Sequence, residues 1–191
     1  MQNQLKQNKE IGQKFSQVPD QTKRKRRGGS ASEYKNSLKE KQKLKKLYGL
    51  SEKQFKRYVT KTLLIAKAEN LADELIKQLE RRLDSVVLRL GLAKSQGQSR
   101  QLVSHAYFLI NNKPVNTPSF QVKAGDIVAI KGNKKKKLIF KDLPATLKKL
   151  QLPDWLSIDK EKLEGKIVRY PNLSEVNPPV EISQIFEFYS R

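Results

Sequence analysis

Residues 95–116, SQGQSRQLVSHAYFLINNKPVN, contain both a helix and a hairpin. Ser95 with Gln98 three residues later is a capping-box pair, so a helix starts there. At 100° per residue, Ser99, Leu102, Val103 and Ala106 gather on one side and Arg100, Gln101, Ser104 and His105 on the other. One face packs; the other offers hydrogen-bonding groups. Tyr107 to Ile110 then supply strand formers, and Asn111, Asn112 and Lys113 make the turn. The two asparagines tolerate positive φ, as a two-residue hairpin requires.

Upstream, residues 81–90, RRLDSVVLRL, place Leu83, Val86, Val87 and Leu90 at i, i+3, i+4 and i+7, the stripe of a core-facing helix. Arg82, Ser85 and Arg89 fall on the opposite side, and Gly91 stops the helix. Asp84 reads as a local ion-pair or packing partner rather than a catalyst. Downstream, Gln121 to Lys123, the turn Ala124-Gly125-Asp126 and Ile127 to Ile130 look like a second hairpin. Lys134 to Lys137 read as a loop. Residues 138–191 mix short helical and irregular pieces broken by Pro153, Pro171, Pro178 and Pro179, with Trp155 as a core anchor.

Residues 33–80 read as a small helical domain with basic outer faces. Gly49 suits a helix C-terminus, Ser51 and Gln54 form another capping box, and Phe55, Tyr58, Val59 and Thr62 follow at helical spacing. Asn70 would cap a helix carrying Leu71, Leu75, Ile76 and Leu79. Residues 1–32 are polar, with the run Lys23, Arg24, Lys25, Arg26 and Arg27, and cannot bury enough surface to fold alone. They read as an extended basic arm that orders on phosphate.

Lys and Arg number 40 against 19 Asp and Glu, a formal net charge of +21. Such an excess repels itself unless a polyanion neutralises it, which points to nucleic acid or an anionic membrane. No apolar run approaches the roughly 20 residues of a membrane span, so nucleic acid is favoured. With one histidine and no cysteine, thiolate metal sites and Cys-His pairs are excluded. No glycine-rich phosphate loop occurs, and acidic residues form no paired motif. Neither an enzyme nor a cofactor is expected.

Residues 81–128 closely resemble the RNA-binding module of the ribosomal protein S-four family, the universal small-subunit protein of that number. Residues 32–58, SEYKNSLKEKQKLKKLYGLSEKQFKRY, resemble that family's N-terminal helical signature. Pro153-Asp154-Trp155-Leu156 and the final Tyr189-Ser190-Arg191 resemble its ending. The likeness runs colinearly over residues 18–191.

It implies an α+β protein: an extended basic arm (1–32) and a mostly helical domain (33–80, completed by about 165–191). An inserted module of two helices and a small, mainly antiparallel sheet (81–145) leads into a connecting segment (146–164). It also implies a primary rRNA-binding protein that nucleates assembly of the small-subunit body at a multi-helix junction. Such a protein lies beside the channel through which mRNA enters, near proteins S-three and S-five, and its S-five boundary bears on decoding accuracy. Arg81, Arg82, Arg89, Gln98, Arg100, Gln101, Ser104, His105, Asn111 and Lys113 match the polar side of the module, and Lys23 to Arg27 match the arm's RNA-facing stretch.

Arginines bridge phosphates, while amides and hydroxyls suit RNA sugars and backbone oxygens. No zinc is expected, since the cysteines of some members are missing. A bacterial cytoplasm is favoured, with an organellar ribosome left open. Three departures stand out: Ala106 replaces the usual glycine, Tyr107 a second histidine, and Asn111-Asn112 the usual Asn-Gly. The alternatives are an RNA-modifying enzyme of the pseudouridine synthase type, for which residues 129–191 hold no catalytic motif, and a free RNA chaperone carrying the same module.

Overall fold

The computed structural model describes residues 30–190. The basic stretch Lys23 to Arg27 lies outside the described residues. The backbone divides into a unit of residues 1–34 and a unit of residues 35–191, and both hydrophobic cores belong to the second.

Helix α1 (Ser30–Leu47) stops at Gly49, whose φ is +58°. There the Gly49 N–H donates to Lys46 O (3.0 Å) and the Leu50 N–H to Lys45 O (2.9 Å), the paired bonds of a Schellman stop. Helix α2 (Glu52–Ile65) opens with both halves of the Ser51–Gln54 capping box and buries Phe55, Val59 and Thr62. Asn70 ends a single 3-10 turn and makes no side-chain cap for α3 (Leu71–Glu80), contrary to expectation. These helices close over Leu44, Tyr48, Leu75, Ile76 and Leu79. The last helix, described as Ile182–Ser190, returns to the same core through Ile182, Ile185 and Phe186.

Between these pieces sits the inserted lobe. Helix α4 (Leu83–Arg89) and helix α5 (Gln96–Ser104) bury Leu83, Val86, Val87, Leu102 and Val103 against the sheet, as their periodicity predicts. Ser95 caps α5, but Gln98 Oε1 accepts from the Lys94 N–H (2.5 Å) rather than from Ser95, so the return half of the box moves back one residue. At its other end Ala106 takes φ +52°. Its N–H donates to Val103 O, and the Tyr107 N–H to Leu102 O, a Schellman stop built without glycine.

Strand β1 (Phe108–Ile110) pairs with β2 (Lys113–Val115) across Asn111 and Asn112, at φ +49° and +66°. Two consecutive positive φ values mark the tight primed turn that the asparagines predicted. Pro114 lies on the edge strand, where its missing N–H is tolerated. β1 also pairs antiparallel with β3 (Ile127–Ile130).

The expected second hairpin does not form. Gln121 makes a single bridge to Arg82, and β3 takes β5 as its other neighbour. Lys134 and Lys135 belong to a one-turn helix, α6 (Gly132–Lys135), where a loop was expected. After α7 (Leu143–Lys149), residues read as a connecting segment form β4 (Leu156–Asp159) and open β5 (Glu164–Ile167). The fully antiparallel sheet thus runs β2-β1-β3-β5-β4, so the lobe extends to Ile167. At Gly165, between β5 and α4, an added Cβ would overlap Leu90, and that close approach needs glycine. Trp155 is buried beside Leu156 and Ile167 as anticipated. The α+β class holds, with one core for the helical lobe and another for the insert. A short helix α8 (Leu173–Val176) precedes the final helix, α9 (Ile182–Ser190).

Candidate nucleic-acid interface

The residues expected on one polar face divide into two groups. Gln101, Ser104 and His105 are exposed on the outer side of α5, and Lys113 is exposed at the start of β2. Gln98 is half-buried at the first turn of α5. Asn111 is exposed, but its side chain is engaged: Nδ2 donates to Asp126 Oδ1 (2.8 Å), and Oδ1 accepts from the Ile127 N–H (3.0 Å). It ties the hairpin turn to β3.

The arginines behave differently. Arg82 sits just before α4 rather than on its outer side, with 2% of its side chain exposed. Its Nε and Nη2 grip both oxygens of Asp84 (2.9 and 2.7 Å), and its Nη1 donates to Tyr58 Oη (2.8 Å). Burial lowers the Arg82 pKa, but the bonds to Asp84 more than offset it and hold the guanidinium above its ordinary value. Arg100 reaches the same carboxylate through Nε and Nη2 (3.1 and 2.9 Å) and also donates to Tyr48 O (3.0 Å) and Gly49 O. Asp84 is completely buried between the two. Asp84 is thus the local ion-pair partner its sequence position suggested, held by Arg82; its second pairing, with Arg100, is non-local and a helical wheel cannot foresee it.

Arg89 is claimed by Glu80, through Nε (3.0 Å) and Nη2 (2.6 Å). Tyr48 Oη donates to the same buried carboxylate at 2.7 Å. The bonds to Glu80 hold the Arg89 pKa above its ordinary value, and burial followed by the nearby Glu80 charge pushes the Tyr48 phenol up, so it stays a neutral donor. Arg81 Nε donates to Val122 O (3.0 Å), and its guanidinium lies 4.5 Å from the Tyr170 ring centroid. Thus Arg82, Arg89 and Arg100 bind the helical lobe to the insert, while Gln101, Ser104, His105 and Lys113 face solvent.

The basic outer faces expected of the helical domain include a second cationic group, whose residues the sequence reading did not single out. Lys53, Lys56, Arg57 and Lys61 stand exposed on α2, opposite Phe55 and Val59. Among the described residues, no ion pair involves any of these four. Arg57 and Lys61 also line a pocket of about 220 Å³ with Gln54, Tyr58, Arg82 and Ser119. Their i, i+4 spacing was the available signal. Among the described residues, no helix is long and apolar enough to cross a membrane.

An inserted helix-pair-and-sheet lobe with an exposed polar helix face defines the class of proteins built on the S4 domain, and that family matches residues 81–128. The Ribosomal protein S4/S9 N-terminal domain family matches residues 2–80. Among curated relatives, the small ribosomal subunit protein uS4 of Halothermothrix orenii is 44% identical over 167 residues, covering 87% of this chain and 79% of that protein. The uS4 proteins of Persephonella marina (43% over 160 residues, 83% and 77% covered) and Herminiimonas arsenicoxydans (40% over 164, 86% and 78%) are similar to it as well. The chain belongs to the uS4 family, whose members are structural ribosomal proteins and not enzymes.

Proposed function

We propose that this chain is a primary rRNA-binding protein of the small ribosomal subunit that nucleates assembly of the subunit body. In this reading it lies beside the channel where mRNA enters and shares a boundary with protein S-five that bears on decoding accuracy. The observation that carries the reading is family identity extending across both lobes, from the helical lobe through the S4 domain. A free module or a modifying enzyme would share only the insert. Supporting it, the outer side of α5 presents amides, a hydroxyl and an imidazole without a competing carboxylate, the groups that RNA sugars and phosphates accept.

Gln98, Gln101, Ser104, His105, Lys113, Arg81 and the arm residues Lys23 to Arg27 are the proposed RNA contacts. Arg82, Arg89, Arg100 and Asn111 act through the frame that presents them. The test is sedimentation of the tagged chain on sucrose gradients. It should travel with small subunits at moderate salt, and its absence from them would overturn the reading.

A further inference from the structure

We propose that the pocket between α2 and the loop following β2 holds one phosphate of an RNA backbone, a subsite that rests on the RNA-binding reading and adds a contact outside the α5 face. The pocket of about 220 Å³ is lined by Gln54, Arg57, Tyr58, Lys61, Arg82 and Ser119, and none of these is acidic. At roughly 30 Å³ per water, it has space for a phosphate group with some of its hydration.

Each wall presents a donor. The Gln54 carbonyl oxygen is occupied by the Ser51 N–H (3.1 Å), leaving its NH2 end free. Tyr58 Oη accepts from Arg82 Nη1 at 2.8 Å, so its own proton is directed elsewhere. The carboxylate paired with Arg82, Asp84, has both oxygens taken by arginine. Arg57 and Lys61 are exposed and supply charge without internal neutralisation.

The far wall is rigid. Ser119 lies in a turn closed by the Phe120 N–H donating to Thr117 O (3.0 Å). That turn is pinned to the start of α4, where the Leu83 N–H donates to Phe120 O (2.8 Å) and the Asp84 N–H to Pro118 O (3.2 Å). One wall belongs to the helical lobe and the other to the insert, so an anion seated here would brace the lobes across their junction. Convergent donors with two cations that have no internal partner among the described residues are the arrangement that backbone phosphates take. An acidic peptide would need a longer groove.

The test compares full-length variants for binding to a small-subunit rRNA transcript across a range of salt. Arg57→Gln with Lys61→Gln should lower affinity about five- to tenfold and flatten the slope of log K against log salt by about 0.9, one phosphate contact. Lys53→Gln with Lys56→Gln removes the same charge from the same helix outside the pocket and should cost less. Ser119→Ala changes no charge and should weaken binding about threefold, as loss of a single hydrogen bond does.

Equal losses in the two charge variants, with Ser119→Ala unchanged, would overturn the pocket and leave only a general field. Inorganic phosphate at millimolar levels is the rival occupant. If it raised the melting temperature of the wild type but not of the Arg57/Lys61 variant, while both bound rRNA alike, the RNA source would be overturned. A wild-type chain that binds no rRNA would overturn the broader reading and the occupant together.

Discussion

Arg100→Ala separates the frame from the RNA face. The guanidinium makes two bonds to the buried Asp84 carboxylate and two to the carbonyls of Tyr48 and Gly49, just beyond the end of α1. Removing it does not strand Asp84, because Arg82 still holds both carboxylate oxygens and the Ser85 N–H donates to one of them (3.0 Å). The cost is therefore below the roughly 3–5 kcal/mol of a fully orphaned buried pair. It lies nearer the roughly 1.5–3 kcal/mol of hydrogen bonds to a charged group, since the Arg100 side chain is 30% exposed and water can rehydrate the two carbonyls. We expect about 2 kcal/mol, a factor of about 30 in the folded-to-unfolded ratio at about 1.4 kcal/mol per decade.

Urea unfolding reads the loss as a lower midpoint at unchanged m. In parallel, rRNA binding is titrated between about 50 and 200 mM salt. A lost phosphate contact flattens the slope of log K by about 0.9, whereas a lost framing residue leaves it nearly unchanged. Lys113→Ala is the counterpart, with a flattened slope and stability within about 0.5 kcal/mol. If Arg100→Ala flattened the slope by about 0.9 and left the urea midpoint in place, Arg100 would be an RNA contact and the partition of arginines drawn from the geometry would be wrong.

Two further outcomes are expected. Ala106→Gly removes a Cβ from a left-handed residue at φ +52° and should stabilise the fold by about 1 kcal/mol, seen as a higher urea midpoint. Glu52 carries a pH dependence. Burial by itself would raise its carboxyl, but bonds from Lys41 Nζ (2.8 Å), Tyr189 Oη (2.8 Å) and Lys45 Nζ (3.0 Å) outweigh it and bring the pKa down to about 2. With the folded pKa below the ordinary value of 4.5, the stabilisation is complete above that value and is lost as pH falls toward 2. Glu52→Gln should therefore lower the melting temperature at pH 7, with the gap from wild type narrowing between pH 4.5 and 2; a gap independent of pH would count against the network.

Much of this architecture could be read in the chain because apolar spacing and turn chemistry agree locally. Leu83, Val86 and Val87 declared one buried stripe, Leu102 and Val103 another, and Asn111-Asn112 declared the hairpin. What escaped was non-local. β4 and β5 are four residues each and carry Asp159, Glu164 and Lys166, so neither alternation nor length marks them as strands. Their signal is Gly165, whose reason is visible only once Leu90 lies against it. The candidate site was legible in the same proportion. Exposed Gln101, Ser104, His105 and Lys113 follow from helix and turn position, but an arginine bound for phosphate and one bound for carboxylate look alike in sequence. Asp84 and Glu80 decide between them, and both are buried only because two lobes meet there.

Apolar side chains would also fill that meeting place. Charge pairs taken out of water gain little over a well-packed apolar substitute and are often replaced at no cost in stability, whereas they demand one geometry. Arg82, Asp84 and Arg100 connect Tyr58 on α2, the start of α4, α5 and the two carbonyls past α1, so their bond directions fix how the insert sits on the helical lobe. RNA recognised by shape needs that fixed angle more than it needs extra stability. We predict that the triple substitution Arg82→Met, Asp84→Leu and Arg100→Met will unfold at a urea midpoint equal to or above that of the wild type, yet bind small-subunit rRNA at least tenfold more weakly. Arg82 and Arg100 are both paired with Asp84, so, apart from the place of Arg82 in the wall of the α2 pocket, the loss would reflect lobe orientation. A triple variant that kept both stability and full rRNA affinity would show that the ion triad sets no angle the RNA reads.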